Sequence, residues 1–483
     1  MQSWQSALAR DPVYAAARAA YRAGQEQLPQ ARANLLPNVS AAVGGEYAEI
    51  RTSGNSGRVR SGTRATWDLL LTQPLFDWAA FRALDQSELL VTDSGVALQQ
   101  AYQDLVLRLA QAYFDVLAAQ DTLAAIEAEK NAVAEQLAFA RRSFELGNAT
   151  VTDTYEAQSR YDLLIADELL AQNALDVARD ALTTVTGERP GALSELPYSA
   201  QLPAPQPAAL DTWVAQATSA NLAVQRAQLQ TQIAQYGIDI ARAGHYPTLN
   251  LQASSGSATN NGLQTRSLPA NASGRPVDSS VGIVLSIPLY AGGGISSRVT
   301  EQVALADQAR QQSESARRNA VQLTRQYHTG VTSGLARIRA LEAGETSSRA
   351  AVQANRTGYE LGVRINLDVL NAQQQLYAAL RDLARARYDT VMAGLRLRAA
   401  SGVLSEQDLQ TINMLLLPPS PAGSQMAERA REVRRDTAPE GVKPREDGTS
   451  QDRPGAEPEG PAGGRIPMHG RGASGALGPA LRP

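Results

Sequence analysis

The chain has 483 residues, 43% of them hydrophobic and 5% aromatic, with 45 basic residues against 48 acidic ones and no cysteine. This excludes wholesale disorder, a broad basic face for nucleic acid, disulfides, thiolate metal sites, a thiol nucleophile and a lipidated N-terminal cysteine. No run of 18 apolar residues occurs, so no membrane-spanning helix is expected, and the start carries no basic-then-apolar leader, as in a cytosolic protein or one whose signal has been trimmed.

After an opening helical stretch, Val39, Ala41, Val43 and Tyr47 alternate with Ser40, Gly44 and Glu46, the period of a strand with one apolar face. The polar loop RTSGNSGRVRSGTR leads to a second strand ending in LLLTQPLFDW. No proline lies between Pro74 and Pro190, which permits a helix of about 65 residues, roughly 100 Å long. Along it Leu105, Leu109, Ala112, Val116, Ala119, Leu123, Ile126, Lys130, Val133, Leu137, Ala140 and Phe144 make a heptad seam with one polar member. FELGNAT reads as a turn at Gly147, followed by a shorter helix ending near Gly187 and by the proline-rich connector ERPGALSELPYSAQLPAPQPAAL.

The same order then recurs. ARANLLPNVSAAVG around Pro37 matches ARAGHYPTLNLQAS around Pro247, LLLTQPLFDW matches IVLSIPLYAG around Pro288, FELGNAT matches YELGVRI, and TTVTGE matches RAASGV around Gly402, at offsets of 210 to 215 residues. Val281, Ile283, Leu285, Ile287 and Leu289 alternate with Ser280, Gly282 and Ser286 after the polar loop ATNNGLQTRSLPANASGRPVD, and the glycines of AGGGISS fall at a strand-to-helix bend. The second seam is more polar: Val331, Ile338, Leu341, Val352 and Tyr359 share it with Thr324, Glu345 and Asn355. Lys130 and Glu345 occupy equivalent heights, either as solvated charges or in a pair between neighbouring helices. The expected organisation is a first structural repeat over 1–187, a connector over 188–210, a second repeat over 211–402, a C-terminal segment over 403–420 and a disordered tail over 421–483.

Two hairpins give four strands, too few to close a barrel, and their edges would stay unpaired. A ring of three protomers offers twelve strands and no edge, with the helices packed side by side into a tube, and such strands are the alternative to helices for crossing lipid. Tyr47, Trp67, Phe76, Trp78 and Tyr290 are placed near strand ends, as interfacial aromatics or as ordinary packing residues.

These residues resemble the TolC family of bacterial outer-membrane efflux and secretion proteins over roughly residues 8 to 418. The resemblance rests on the duplicated order, the LLP and QPLFD signatures, and YELGVRINLDVLNAQQQLYAALRDLARARYD followed by LSEQDL. It implies a homotrimer with a twelve-stranded barrel in the outer membrane, a long α-helical coiled-coil tunnel in the periplasm, and an equatorial region formed by the connector and the 403–420 segment. The two ELG turns, Leu146, Gly147 and Asn148 and then Leu361, Gly362 and Val363, would be periplasmic tips where an adaptor protein docks, itself bound to an inner-membrane ABC or proton-driven transporter. Tyr359 and Arg364 would bond to Thr152 and Asp153 on a neighbouring helix and hold the tunnel closed, and Asp368 would project to the axis as a ring of carboxylates. The family's second ring is aspartate; here the position is Asn371, which weakens the expected ring charge. A cation at a helix start opposes the macrodipole, so Arg364 calls for a partner, with Asp153 the candidate. The plainer alternative is that Asp153, Asn366 and Asp368 only cap helix starts.

His245, His328 and His469 are scattered, and no metalloprotease, phosphate-loop or nucleophile-elbow motif is present, so neither catalysis nor a cofactor or metal is expected. The expected function is export of protein or small-molecule cargo, foremost type I secretion, with multidrug efflux as the alternative; a soluble coiled-coil scaffold would have no use for duplicated apolar hairpins.

Overall fold

The computed structural model describes residues 1–51, 59–261, 277–418, 428–429 and 432–433. The central parts of both hairpin loops and nearly all of the expected 421–483 tail lie outside the described residues.

The first repeat begins with α1 (Gln2–Arg10), α2 (Pro12–Gln25) and α3 (Gln27–Ala33), followed by β1 (Asn38–Arg51), β2 (Val59–Phe76), α4 (Trp78–Glu145) and α5 (Val151–Thr186). The second runs α6 (Leu210–Ala220), α7 (Leu222–Ala243), β3 (Thr248–Asn261), β4 (Val277–Ser286), α8 (Gly294–Glu360) and α9 (Asn366–Ala400), and α10 (Glu406–Leu415) follows it. The opening helix of each repeat is broken at one equivalent place. Asp11 accepts from the Tyr14 amide at 2.6 Å and Asn221 from the Val224 amide at 3.1 Å, each capping a fresh helix after an extended residue. Helix α10 falls in the segment expected only as a connector; its start is a capping box of Ser405 and Asp408.

The four strands form one antiparallel sheet in the order β1-β2-β3-β4. Strand β2 runs through Pro74 with an irregularity before Phe76, whereas β4 stops at Ser286, so Ile287 and Leu289 lie beyond the strand they were expected to continue. Residues directly opposite one another share a face. Val39, Leu71, Ala253 and Val281 therefore stand in one row, and Val43, Trp67, Ser257 and Val277 in another, with Leu69, Leu251, Ile283 and Leu285 between and beside them. The opposite face carries Ser40, Glu46, Arg64, Asp68, Thr72, Gln252, Ser254, Asp278 and Ser280. The apolar face is bare: Val43 is 87% exposed and Val281 77%.

The helices order themselves α5-α4-α9-α8, with α7 beside both α4 and α8. Helix α4 is 68 residues long and α8 is 67, each about 100 Å at about 1.5 Å per residue. Of the seam on α4, Leu105, Leu109, Val116, Ile126, Val133, Leu137 and Ala140 are buried, while Phe144, next to the turn, is exposed. A second row on α4, with Val106, Ala110, Phe114, Leu117, Ala125, Ala128 and Ala132, is buried too, because this helix has neighbours on two sides. Each fully buried leucine stabilises by about 1.5–3 kcal/mol, so the two seams, rather than helix propensity, hold so long a helix in one conformation.

Both tips are the same six-residue closure. The Asn148 amide donates to the Ser143 carbonyl at 2.8 Å and the Gly147 amide to Phe144 at 2.9 Å; Val363 and Gly362 repeat this on Gly358 and Tyr359 at 2.9 and 3.0 Å. This is a Schellman closure, and it needs a left-handed residue, which is why Gly147 (φ 77°) and Gly362 (φ 74°) recur 215 residues apart.

Four residues of the 421–483 segment are described and seated on the helices. Val433 is fully buried, and Arg429 grips the buried Glu345 of α8 through two bonds of 3.0 and 2.8 Å, with its guanidinium 4.8 Å from the Tyr198 ring. Lys130 instead pairs with Glu168 on α5 at 2.5 Å, so the two polar seam members each have a partner and neither meets the other.

Replacing Gly147 or Gly362 by alanine forces a side chain into the left-handed region and is expected to cost about 1–2 kcal/mol per site. Thermal unfolding of the purified protein followed by circular dichroism checks this; midpoints unchanged in both variants would refute the assigned closure.

Candidate functional site

The two tips lie side by side where α4 turns into α5 and α8 into α9. At the first, Thr150 and Asp153 form a capping box: the Asp153 amide donates to Thr150 Oγ1 at 3.3 Å, and the Thr150 amide and hydroxyl both reach Asp153 Oδ2 at 3.0 Å. Thr152 beside it is exposed. At the second, Ile365 is the N-cap residue of α9 and offers no capping side chain, so the start of this helix is not a copy of the other.

Tyr359 is half-buried, its ring edge-on to Phe139 of α4 with centroids 5.9 Å apart. Burial, reinforced by the nearby Asp153 carboxylate, raises its phenol above the usual value. Within the protomer the partner of Arg364, in the turn before α9, is Asp368 in the first turn of that helix at 3.7 Å, and not Asp153. The Asp153 carboxylate is already taken by Thr150, and Arg364 stands four residues from a carboxylate that the start of α9 places beside it. Asn371 accepts from Arg160 Nη2 of α5 at 3.2 Å.

Of the three capping candidates only Asp153 caps its own helix. Asn366 is fully buried and works across helices: its Oδ1 accepts from Gln136 Nε2 of α4 at 2.7 Å, and its Nδ2 donates to the Asp153 carbonyl of α5 at 3.0 Å. Sequence reasoning missed Gln136, Phe139 and Arg160. Gln136 had a signal, as a polar member one turn beyond the small-residue row Ala125, Ala128 and Ala132 on α4.

Toward the middle of the helices the polar rungs continue. Glu129 of α4 accepts from Arg381 of α9 at 2.9 Å, and burial raises its carboxyl despite that arginine. Asp121 of α4 accepts from the Tyr388 hydroxyl of α9 at 2.6 Å. Burial pushes the Asp121 carboxyl up from 3.8 to about 7, with Glu195 adding to it and the Tyr388 bond and Arg387 opposing it. Arg387 itself, buried, donates to the carbonyls of Tyr198, Pro197 and Ala200 at 2.6, 2.7 and 3.0 Å and so pins the inter-repeat connector to α9. The second connector joins it through a bridge between Glu195 and Leu417.

At the sheet, Tyr47 is 69% exposed and Tyr290 90%, and Phe76, Trp78 and Tyr290 cluster where strands give way to helices. Trp67 is the exception to the strand-end expectation: it stands mid-way along β2, opposite Val43 and Ser257, on the apolar face. Among the described residues no helix is long and apolar enough to cross a membrane, and no cluster of three metal-ligating side chains occurs.

A sheet apolar on one face and polar on the other, carried on antiparallel helix pairs whose longer members run about 100 Å, defines a protomer of an outer-membrane channel-tunnel. The family model described as outer membrane efflux protein matches residues 4–188 and 213–403, both repeats and neither connector, and the chain belongs to that family. It is 32% identical to the outer membrane protein TolC of Vibrio cholerae serotype O1 over 412 residues, which covers 85% of this chain and 92% of that one. It is also 32% identical to the proteases secretion protein PrtF of Dickeya chrysanthemi over 428 residues, 85% and 90% of the two chains. The outer-membrane channel OprN has the same fold, with a TM-score of 0.70 at 20% identity, covering 83% of this chain and 89% of that one. The family and its relatives are channel proteins of the outer membrane rather than enzymes.

The Asp121 carboxyl is raised in the folded state, so its contribution to stability is complete below the unfolded value near 3.8 and is lost as pH rises through about 7. Asp121→Asn, which stays neutral, is therefore expected to gain on the native protein between pH 4 and 7, by at most about 1.4 kcal/mol per pH unit. Denaturant midpoints across that range test it; a constant difference between the two proteins would contradict it.

Proposed function

We propose that three copies of this chain close into one export channel, a twelve-stranded barrel in the outer membrane continued by a helical tunnel in the periplasm, and that its foremost task is type I protein secretion. The observation that carries the reading is the pair of open flanks. Strands β1 and β4 are sheet edges, and α5 and α8 are the outer helices of the row, so one flank carries β1 and α5 of the first repeat and the other β4 and α8 of the second. On α5 the outward residues Tyr155, Leu163, Leu170 and Val177, exposed at 69, 60, 68 and 61%, follow a heptad-like spacing that an adjacent α8 would cover. A head-to-tail contact of this kind generates a ring, and closure leaves no strand edge.

The bare apolar face then meets lipid and the polar face the lumen. Thirteen residues of β2 separate Thr63, opposite Tyr47, from Phe76. That is roughly 43 Å of strand, or about 33 Å of height at a tilt of about 40°, the scale of a bilayer with its interfacial aromatics.

The tips face the cell interior in this reading. Leu146, Leu361 and Val363, exposed at 70, 73 and 75%, offer apolar contacts to a periplasmic adaptor coupled to an inner-membrane transporter. Arg364, its side chain 58% exposed and only 3.7 Å from Asp368 at best, reaches the adjacent copy to bond Thr152 and Asp153, while Tyr359 closes on Asp153 within the protomer. Asp368 rings the axis and Asn371 supplies a weaker second ring.

Secretion is favoured by the likeness over most of the chain to a protease-secretion protein; efflux is favoured by the family's description. Deleting the gene and assaying secreted protein and drug sensitivity side by side separates them. Loss of secretion at unchanged drug sensitivity is expected, and the reverse result would reassign the channel to efflux.

For the gate, Arg364→Ala and Tyr359→Phe are each expected to raise single-channel conductance several-fold in planar bilayers. Native conductance in both single variants and in the double variant would remove these residues from the gate.

A further inference from the structure

The backbone closures of the two tips are copies of one another, and the side chains behind them are not. Asn366, the first residue of α9, is fully buried, and its amide is used up in two directions: Gln136 Nε2 donates to its Oδ1 at 2.7 Å, and its Nδ2 donates to the Asp153 carbonyl at 3.0 Å. Gln136 is itself buried, 5% exposed. One carboxamide thus joins α9 to both helices of the first tip, α4 and α5. The position 215 residues earlier holds Val151, 45% exposed at the start of α5, which can return no such bond.

Other polar contacts at the tips do a different job. Arg364 with Asp368 stays within the second tip, and the capping box of Thr150 and Asp153 stays within the first. Arg160 with Asn371 does span α5 and α9, but it is exposed to solvent, where water replaces it at little cost. Parting α9 from α4 and α5 therefore strips Gln136 and the Asp153 carbonyl of a buried partner, a loss that water makes good only once the helices have separated.

We propose that Asn366 is a positioning residue of the gate: the Gln136–Asn366–Asp153 tie holds the second-repeat tip against the first within each protomer, and the channel opens by breaking it. The inference rests on the gate reading given above and adds to it a neutral intraprotomer link that carries no charge.

Conductance of the full-length channel in planar bilayers tests it, with Asn366→Leu, Gln136→Leu, their double variant and Arg364→Ala compared at 0.1 and 1 M KCl. Asn366→Leu and Gln136→Leu are each expected to raise conductance several-fold, the double variant no further than either single one. Their ratio to the native channel stays the same at both salt concentrations because the tie is uncharged, whereas the Arg364→Ala ratio shrinks at high salt. Native conductance in both leucine variants alongside a raised Arg364→Ala would overturn the tie and leave the gate standing. Native conductance in all of them would overturn the gate reading and the tie together. Should Asn366→Leu fail to assemble, Gln136→Leu breaks the same bond, and its conductance alone decides.

Discussion

A strand edge inside hydrocarbon has nowhere to send its amides and carbonyls, and each unsatisfied group costs several kcal/mol. This protein builds a sheet with an apolar face fit for lipid and then leaves both of its edges, β1 and β4, open. Water can satisfy those edges only if the sheet stays out of the bilayer, and then the apolar face, with Val43, Val281 and Ile283 bare, is wrongly placed. The face and the edges cannot both be accommodated by one copy in either solvent. Association in a closed ring resolves the conflict, and with four strands per copy it also brings the barrel to a width that encloses space instead of side chains.

The helical part obeys the same demand with different groups. Inside the protomer α4 has α5 on one side and α9 on the other, with a buried seam toward each, whereas α5 and α8 each have a neighbour in the row on one side only. Small residues dominate the second seam, so α4 and α9 approach closely, and polar rungs cross that narrow gap: Gln136 to Asn366, Glu129 to Arg381, Asp121 to Tyr388. Buried polar pairs contribute little net stability against an apolar alternative, but a register shift strands every one of them at once. Along two helices of similar character that could otherwise slide by a heptad, such rungs specify a single alignment.

Much of this could be read from residues alone, because each element has a period and each boundary a chemical reason. Alternation gave the strands, the four-three spacing from Leu105 to Ala140 the long helix, and repeated Glu-Leu-Gly the two tips. The breaks at Asp11 and Asn221 were written as Asp-Pro and as a capping asparagine, and α10 as a Ser-x-x-Asp capping box, though all were passed over within longer helical or proline-rich stretches. What the chain could not reveal were partners far apart in sequence. That Arg429 reaches Glu345, that Arg387 gathers three carbonyls of the connector, and that Asn366 bonds outward and not to its own helix depend on which helices become neighbours. Arg364 shows the converse: proximity in sequence to Asp368 decided its intraprotomer partner over the more distant Asp153.

Duplication supplies two hairpins and two helical tips from one plan, and a ring of identical repeats would present the same groups on every flank. The two halves have instead diverged in complementary ways. The first repeat keeps the acceptors, Asp153 with its carbonyl and capping carboxylate, and an apolar outer row on α5; the second keeps the donors, Tyr359, Arg364 and the Asn366 amide, on a more polar α8 and α9. In the proposed ring, complementary flanks make the head-to-tail contact directional, so that repeat one pairs with repeat two and not with itself. In that ring the sheet edges pair through backbone groups and the exposed α5 row through apolar side chains. At the tips the proposed gate relies instead on side-chain hydrogen bonds and ion pairs, individually weak and replaceable by water, and it is there that the proposed opening parts the helices.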